Sequence, residues 1–162
     1  MKIATALALS ALIVTTGLAR ADELLKFRIF MHITGVQTQE VPDVDGHTMS
    51  VIKFSGLASF SDGAVGTATL VATTDYIKGS GTFSNYVTVA SKDGSTITYK
   101  MINAPAKTEG AVTTFPEAPL SVVRGTGKWE GAKGDGSQNG ARLTPLASGA
   151  ELYADAVINL KK

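Results

Sequence analysis

Residues 125–142, GTGKWEGAKGDGSQNGAR, set a lysine behind glycines spaced two apart, as phosphate-binding loops do. Six of the 17 glycines fall in this stretch, and GTGKWEGAK is nearly repeated as GDGSQNGAR. A Walker loop needs Ser or Thr after its lysine to hold magnesium, whereas Trp129 follows Lys128. The dinucleotide fingerprint needs a third glycine where Glu130 stands, with a helix pattern behind it, and neither is present. A calcium-binding nonapeptide needs an Asp at a fixed place in several repeats; here there is only Asp135. The remaining reading is backbone geometry. In an unbroken strand a nine-residue displacement moves the second copy to the opposite face, so a turn or bulge must intervene. Trp129 is the one large apolar side chain able to plug that bend against the core.

Other chemistry-bearing residues are sparse. Asp43-Val44-Asp45-Gly46 begins like a calcium loop, but the glycine comes two places early and Phe54 stands where a bidentate Glu would close it, so the segment reads as a turn. His47 beside it could ligate a metal only with a distant partner, and no metal site is expected. Ser50, Ser55 and Ser59 have no adjacent base, and no Ser-His-Asp arrangement is visible. Tyr76, Tyr86, Tyr99 and Tyr153 are left as phenols able to orient a bound apolar molecule. No cofactor is expected.

The elements that would position these residues are strands. Leu25, Phe27, Ile29, Met31 and Ile33 share one face of a segment whose other face carries Lys26, Arg28, His32 and Thr34, with Leu24 and Phe30, and this period of two marks a half-buried strand. A second run covers Thr48 to Phe60 and a third Val65 to Asp75, joined by Asp62-Gly63 as a tight hairpin. Gly79 through Val89 and Ser95 through Met101 repeat that design around Asp93-Gly94. Asn103 to Pro119, with three prolines, reads as a long connection with one short strand near Val112 to Phe115. Leu120 to Arg124 and Ala150 to Leu160 bring the inventory to about eight. An all-β, eight-stranded antiparallel closed barrel is expected, with a β-sandwich as the alternative. Small or apolar residues on both faces of several strands, such as Ala64, Ala68 and Ala72 against Val65 and Val71, favour a barrel whose outer wall is partly covered by other subunits, a homo-oligomer.

Residues 1–21 read as a signal peptide. Lys2 begins it, Ile3 to Leu18 are largely apolar, and Ala19-Arg20-Ala21 presents small residues for cleavage before Asp22. A secreted or periplasmic location follows, with residues 22–162 as a single domain. No later apolar run is long enough to cross a membrane. There is no cysteine, which excludes disulfides and thiol chemistry. Without Lys2 and Arg20 the chain carries 13 basic and 14 acidic residues, a formal charge of −1 that offers no footprint for nucleic acid.

Four segments share a resemblance. Val123-Arg124-Gly125-Thr126-Gly127-Lys128-Trp129, continued by Ala132-Lys133-Gly134, resembles the GGTGKF segment and following Ala-basic-Gly step of dirigent proteins and the wider allene oxide cyclase barrel superfamily. Phe30-Met31-His32 with Gly35, Gly79-Ser80-Gly81-Thr82-Phe83 and Gly94-Ser95-Thr96-Ile97 resemble its other motifs in order and spacing. The resemblance implies an eight-stranded antiparallel barrel, commonly oligomeric, with a largely apolar cavity in which flexible molecules are cyclised or coupled by orientation and exclusion of water. Dirigent proteins usually carry a proton-handling Asp after the first-strand His; here Ile33 stands there.

The expected function is therefore binding of a small apolar or aromatic molecule, with steering of its cyclisation or coupling. Phe27, Ile29, Met31 and Ile33 would line the cavity and Tyr99 would orient the ligand. A non-catalytic carrier, or an interaction module with a filled barrel, is the alternative. A cavity large enough for a ligand, with a Tyr or acid facing inward, favours the first, an entirely apolar cavity the carrier, and a packed, dry interior the last.

Overall fold

The computed structural model describes residues 23–161; the leader expected at residues 1–21 lies outside them. Eight strands follow in chain order: β1 Glu23–Glu40, β2 His47–Phe60, β3 Val65–Ile77, β4 Ser80–Ala90, β5 Thr96–Glu109, β6 Val112–Gly125, β7 Lys133–Arg142 and β8 Leu152–Lys161. Each pairs antiparallel with the next, and β8 returns to β1, so the sheet closes in the order β1 to β8. The closed antiparallel barrel, rather than the sandwich, is the architecture.

Alternation builds this wall. Leu25, Phe27, Ile29 and Met31 of β1 are buried, while Lys26, Arg28 and Phe30 between them face solvent. Ile158 and Leu160 of β8, with Val87, Val89 and Ile97 of β4 and β5, are wholly enclosed, each adding about 1.5–3 kcal/mol of hydrophobic stabilisation. The seam between the first and last strands runs from Glu23↔Leu160 to Met31↔Leu152, and on its outer side Arg28 makes a bidentate pair with Asp155 at 2.6 and 2.7 Å. Beyond Met31, β1 pairs only with β2.

Both Asp-Gly turns close hairpins in the same way. Gly63 and Gly94 take φ of 85° and 82°, and Asp62 and Asp93 each accept the N–H two residues on, from Ala64 and Ser95, at 2.9 Å.

Two expectations need correction. The segment Asn103 to Pro119 is not a connection: β5 continues to Glu109, turns at Gly110 and returns as β6, which joins the pieces at 112–115 and 120–124 into one strand. Its prolines fit because the β5–β6 ladder is interrupted where they lie, between Lys100↔Ser121 and Lys107↔Thr114, so Pro105, Pro116 and Pro119 forfeit no bond across that seam. The compensating strand is β7, inside the glycine-rich stretch. There the bend comes first, as a 3-10 turn at Gly127–Trp129 with Trp129 1% exposed, and the second near-repeat is strand throughout. Gly134, Gly136 and Gly140 let β7 lie against β8, since a Cβ at each would stand 2.3, 1.9 and 2.2 Å from the carbonyl oxygens of Asn159, Val157 and Tyr153.

Candidate functional site

The barrel interior is filled unevenly. Toward the hairpins at Asp62-Gly63 and Asp93-Gly94, aromatic rings occupy it: Phe27 packs against Phe60 and Tyr99 at 5.7 and 6.0 Å between centroids, and Trp129 stacks on Phe60 at 6.0 Å. Farther along the barrel the filling is incomplete. Ala72 and Ala154 lie in the wall of a cavity there, with Ala104 and Ala118 buried beside Phe83 and Gln138.

This cavity has a volume of about 40 Å³. At roughly 10–15 Å³ per water it admits about three waters, whereas a benzene molecule occupies a cavity of about 150 Å³. Ile52, Phe54, Leu70, Phe83 and Leu152 give it an apolar wall, and Phe115, half-buried, closes one side in edge contact with Phe83 at 5.3 Å. Phe115 belongs to the stretch of β6 that lacks ladder partners on β5, and a second register shift, toward β7, lies between Phe115 and Ala118. That side of the wall is held by side chains more than by backbone bonds.

Polar groups also converge on the cavity. Thr74 and Tyr76 come from β3, Asn85 from β4, and Gln138 and Arg142 from β7. Burial pushes the Tyr76 phenol up to about 12, so at neutral pH it is a hydrogen-bond donor and no base. Asn85 Oδ1 accepts the Met101 N–H at 3.3 Å, and Gln138 Oε1 accepts the Tyr99 hydroxyl, so both amides engage their carbonyl oxygens in the wall. No Asp or Glu lines the space. Burial also lowers the Arg142 guanidinium from its ordinary value.

None of Phe27, Ile29, Met31, Ile33 and Tyr99 lines this cavity. Phe27, Ile29, Met31 and Tyr99 do face inward and are buried, but among packed side chains; Ile33 is partly buried against the same core. Tyr99 reaches the cavity only through Gln138, and burial raises its phenol pKa. Of the candidate phenols Tyr76 is in the wall, and the alternation Leu70, Ala72, Thr74, Tyr76 along β3 could have shown it. Gln138 and Arg142 share a face of β7 with Gly134, Gly136 and Gly140, a face without an apolar residue, so hydrophobic periodicity gave no signal there.

The loop between β1 and β2 holds a second polar cluster. His47 bonds Asp43 through Nδ1 at 2.6 Å and Asp75 through Nε2 at 2.8 Å, and these carboxylates raise its pKa. It is a clip between loop and β3; no group of three or more potential ligands able to hold a metal occurs among the described residues.

No family model matches the chain, and no curated protein gives a significant match. Solved structures do. The chain is similar to the pterocarpan synthase dirigent protein GePTS1, at 16% identity and a TM-score of 0.50, over 96% of this chain and 99% of that one. It is similar to the pterocarpan synthase dirigent protein PsPTS1, at 15% identity and a TM-score of 0.51, over 86% and 95%. With the closed eight-stranded sheet, these likenesses show a dirigent-type barrel fold.

Proposed function

We propose that this dirigent-type barrel binds a small apolar or aromatic molecule in the cavity beside Tyr76 and holds it in one orientation. The observation that carries this reading is an apolar wall on which a few polar groups converge. A guest larger than three waters widens the space, and the side that yields is Phe115, on the stretch of β6 unbonded to β5. The wall has no carboxylate to take a proton, and the neighbours' named role, pterocarpan synthesis by dirigent proteins, suits a barrel that positions its guest. Native mass spectrometry of protein from its source tests this: a retained small molecule is expected, lost in Ala72→Leu, which fills the cavity. A wild-type protein that carries nothing and takes up no apolar probe refutes it.

Export and self-association belong to the same reading. The apolar leader supports cleavage before Asp22, to be checked by sequencing the amino terminus of the protein from its source. Phe30 and Leu57, directly opposite each other on β1 and β2 and each more than half exposed, support association with further copies of this chain.

A further inference from the structure

Arg142 is a polar side chain of the cavity wall with a buried donor left unpartnered. Its Nη2 donates to Thr113 Oγ1 at 2.7 Å, and Thr113, wholly buried, lies 2.8 Å from Thr108 Oγ1. Thr108 donates to the Gly79 carbonyl at 2.6 Å, so the hydroxyls run in one direction and Thr113 is left to accept from the guanidinium. This chain fixes one side of the guanidinium. Nε, by contrast, is buried and has no hydrogen-bond partner in the protein, and Arg142 makes no ion pair among the described residues.

Even a half-buried cation without a counter-charge carries some desolvation cost, and proteins ordinarily set a carboxylate beside one. Here the wall supplies no carboxylate, only neutral polar groups. Tyr76 stays protonated, and Asn85 and Gln138 have turned their carbonyl oxygens to Met101 and Tyr99, leaving their NH₂ groups. The polar side of the cavity carries one positive charge and no negative one, behind an apolar wall.

We infer that the ligand is a carboxylate-bearing amphiphile, its apolar part lying among Phe54, Leu70 and Phe83 and its carboxylate bound by Arg142. The planar guanidinium matches a carboxylate in shape, and Thr113 already holds it in place. The inference rests on the binding function proposed above and narrows its ligand class.

Titration calorimetry of the purified protein with octanoate and octan-1-ol at neutral pH tests it, since the two probes share a chain and differ in charge. Octanoate should bind at least about tenfold more tightly than octan-1-ol. Arg142→Met should erase that preference, and Arg142→Lys should keep part of it. The Arg142 Nε–H resonance of the wild type, shifting with octanoate and not with octan-1-ol, supplies a readout that needs no variant. Octan-1-ol binding with no preference for octanoate, or a preference that survives in Arg142→Met, overturns the carboxylate inference alone. Binding of neither probe overturns this inference, and if native mass spectrometry also finds nothing retained, the binding function falls with it.

Discussion

Arg142 and Tyr76 show how single side chains report on the interior. Replacing Arg142 by Met removes a half-buried charge that no carboxylate balances, so stability should change by less than about 1 kcal/mol, read as the midpoint of urea unfolding. The same substitution at an ordinary ion pair would destabilise. The phenols give a pH signature. Burial raises the pKa of both Tyr76 and Tyr99 above the unfolded value near 10, so the stability they contribute is complete below about pH 10 and is lost as pH rises beyond it. The decline in melting temperature above pH 10 should be shallower in Tyr76→Phe than in the wild type. At this scale the sequence announces its inward side chains where they are apolar: Phe27, Ile29 and Met31 face the interior as their spacing requires. It does not announce which part of the interior is empty. That depends on how side chains of β2, β3, β4, β6, β7 and β8 meet across the barrel, which no single segment encodes.

Among the elements, β7 tests how a strand with little intrinsic preference is held. Gly136→Ala would place a Cβ 1.9 Å from the Val157 carbonyl oxygen, backbone that cannot swing aside, and should cost about 3 kcal/mol or more, or prevent folding. Gly63→Ala at a hairpin tip has open space and only a left-handed φ of 85° to tolerate, so about 1 kcal/mol is expected. Chemical denaturation of the pair measures the contrast. The clip between the β1–β2 loop and β3 has its own signature. Because Asp43 and Asp75 raise the His47 pKa, its contribution is full below the unfolded value near 6.5 and is lost as pH rises through the higher folded value. Wild-type stability should fall across that window and His47→Gln should not, as followed by thermal unfolding at a series of pH values. Strands with alternating greasy residues and Asp-Gly turns are legible in the chain itself. The strand of 133–142 is not, because glycine and polar residues carry no period that marks a buried face, and the prolines of 105–119 disguise two strands whose mutual ladder is broken at those residues.

For the whole molecule, the exposed pair Phe30 and Leu57, with Val71 and Tyr86 paired on β3 and β4, predicts a mass in solution that is a multiple of the single chain. Light scattering coupled to size-exclusion chromatography measures it, and Phe30→Lys combined with Leu57→Lys should shift the protein toward monomer without unfolding it. The meeting of β8 with β1 governs something further, the time course of synthesis. Every other pairing joins neighbours in the chain and can form once its second strand is available, but Glu23 must wait for Leu160. Until then the nascent chain is a curled ribbon with both borders unsatisfied, and its interior is open to water. Contacts of such long sequence separation fold slowly, on the order of milliseconds to seconds. A nascent chain stalled before Leu152 should therefore have no ligand site to fill and should be a ready substrate for chaperones.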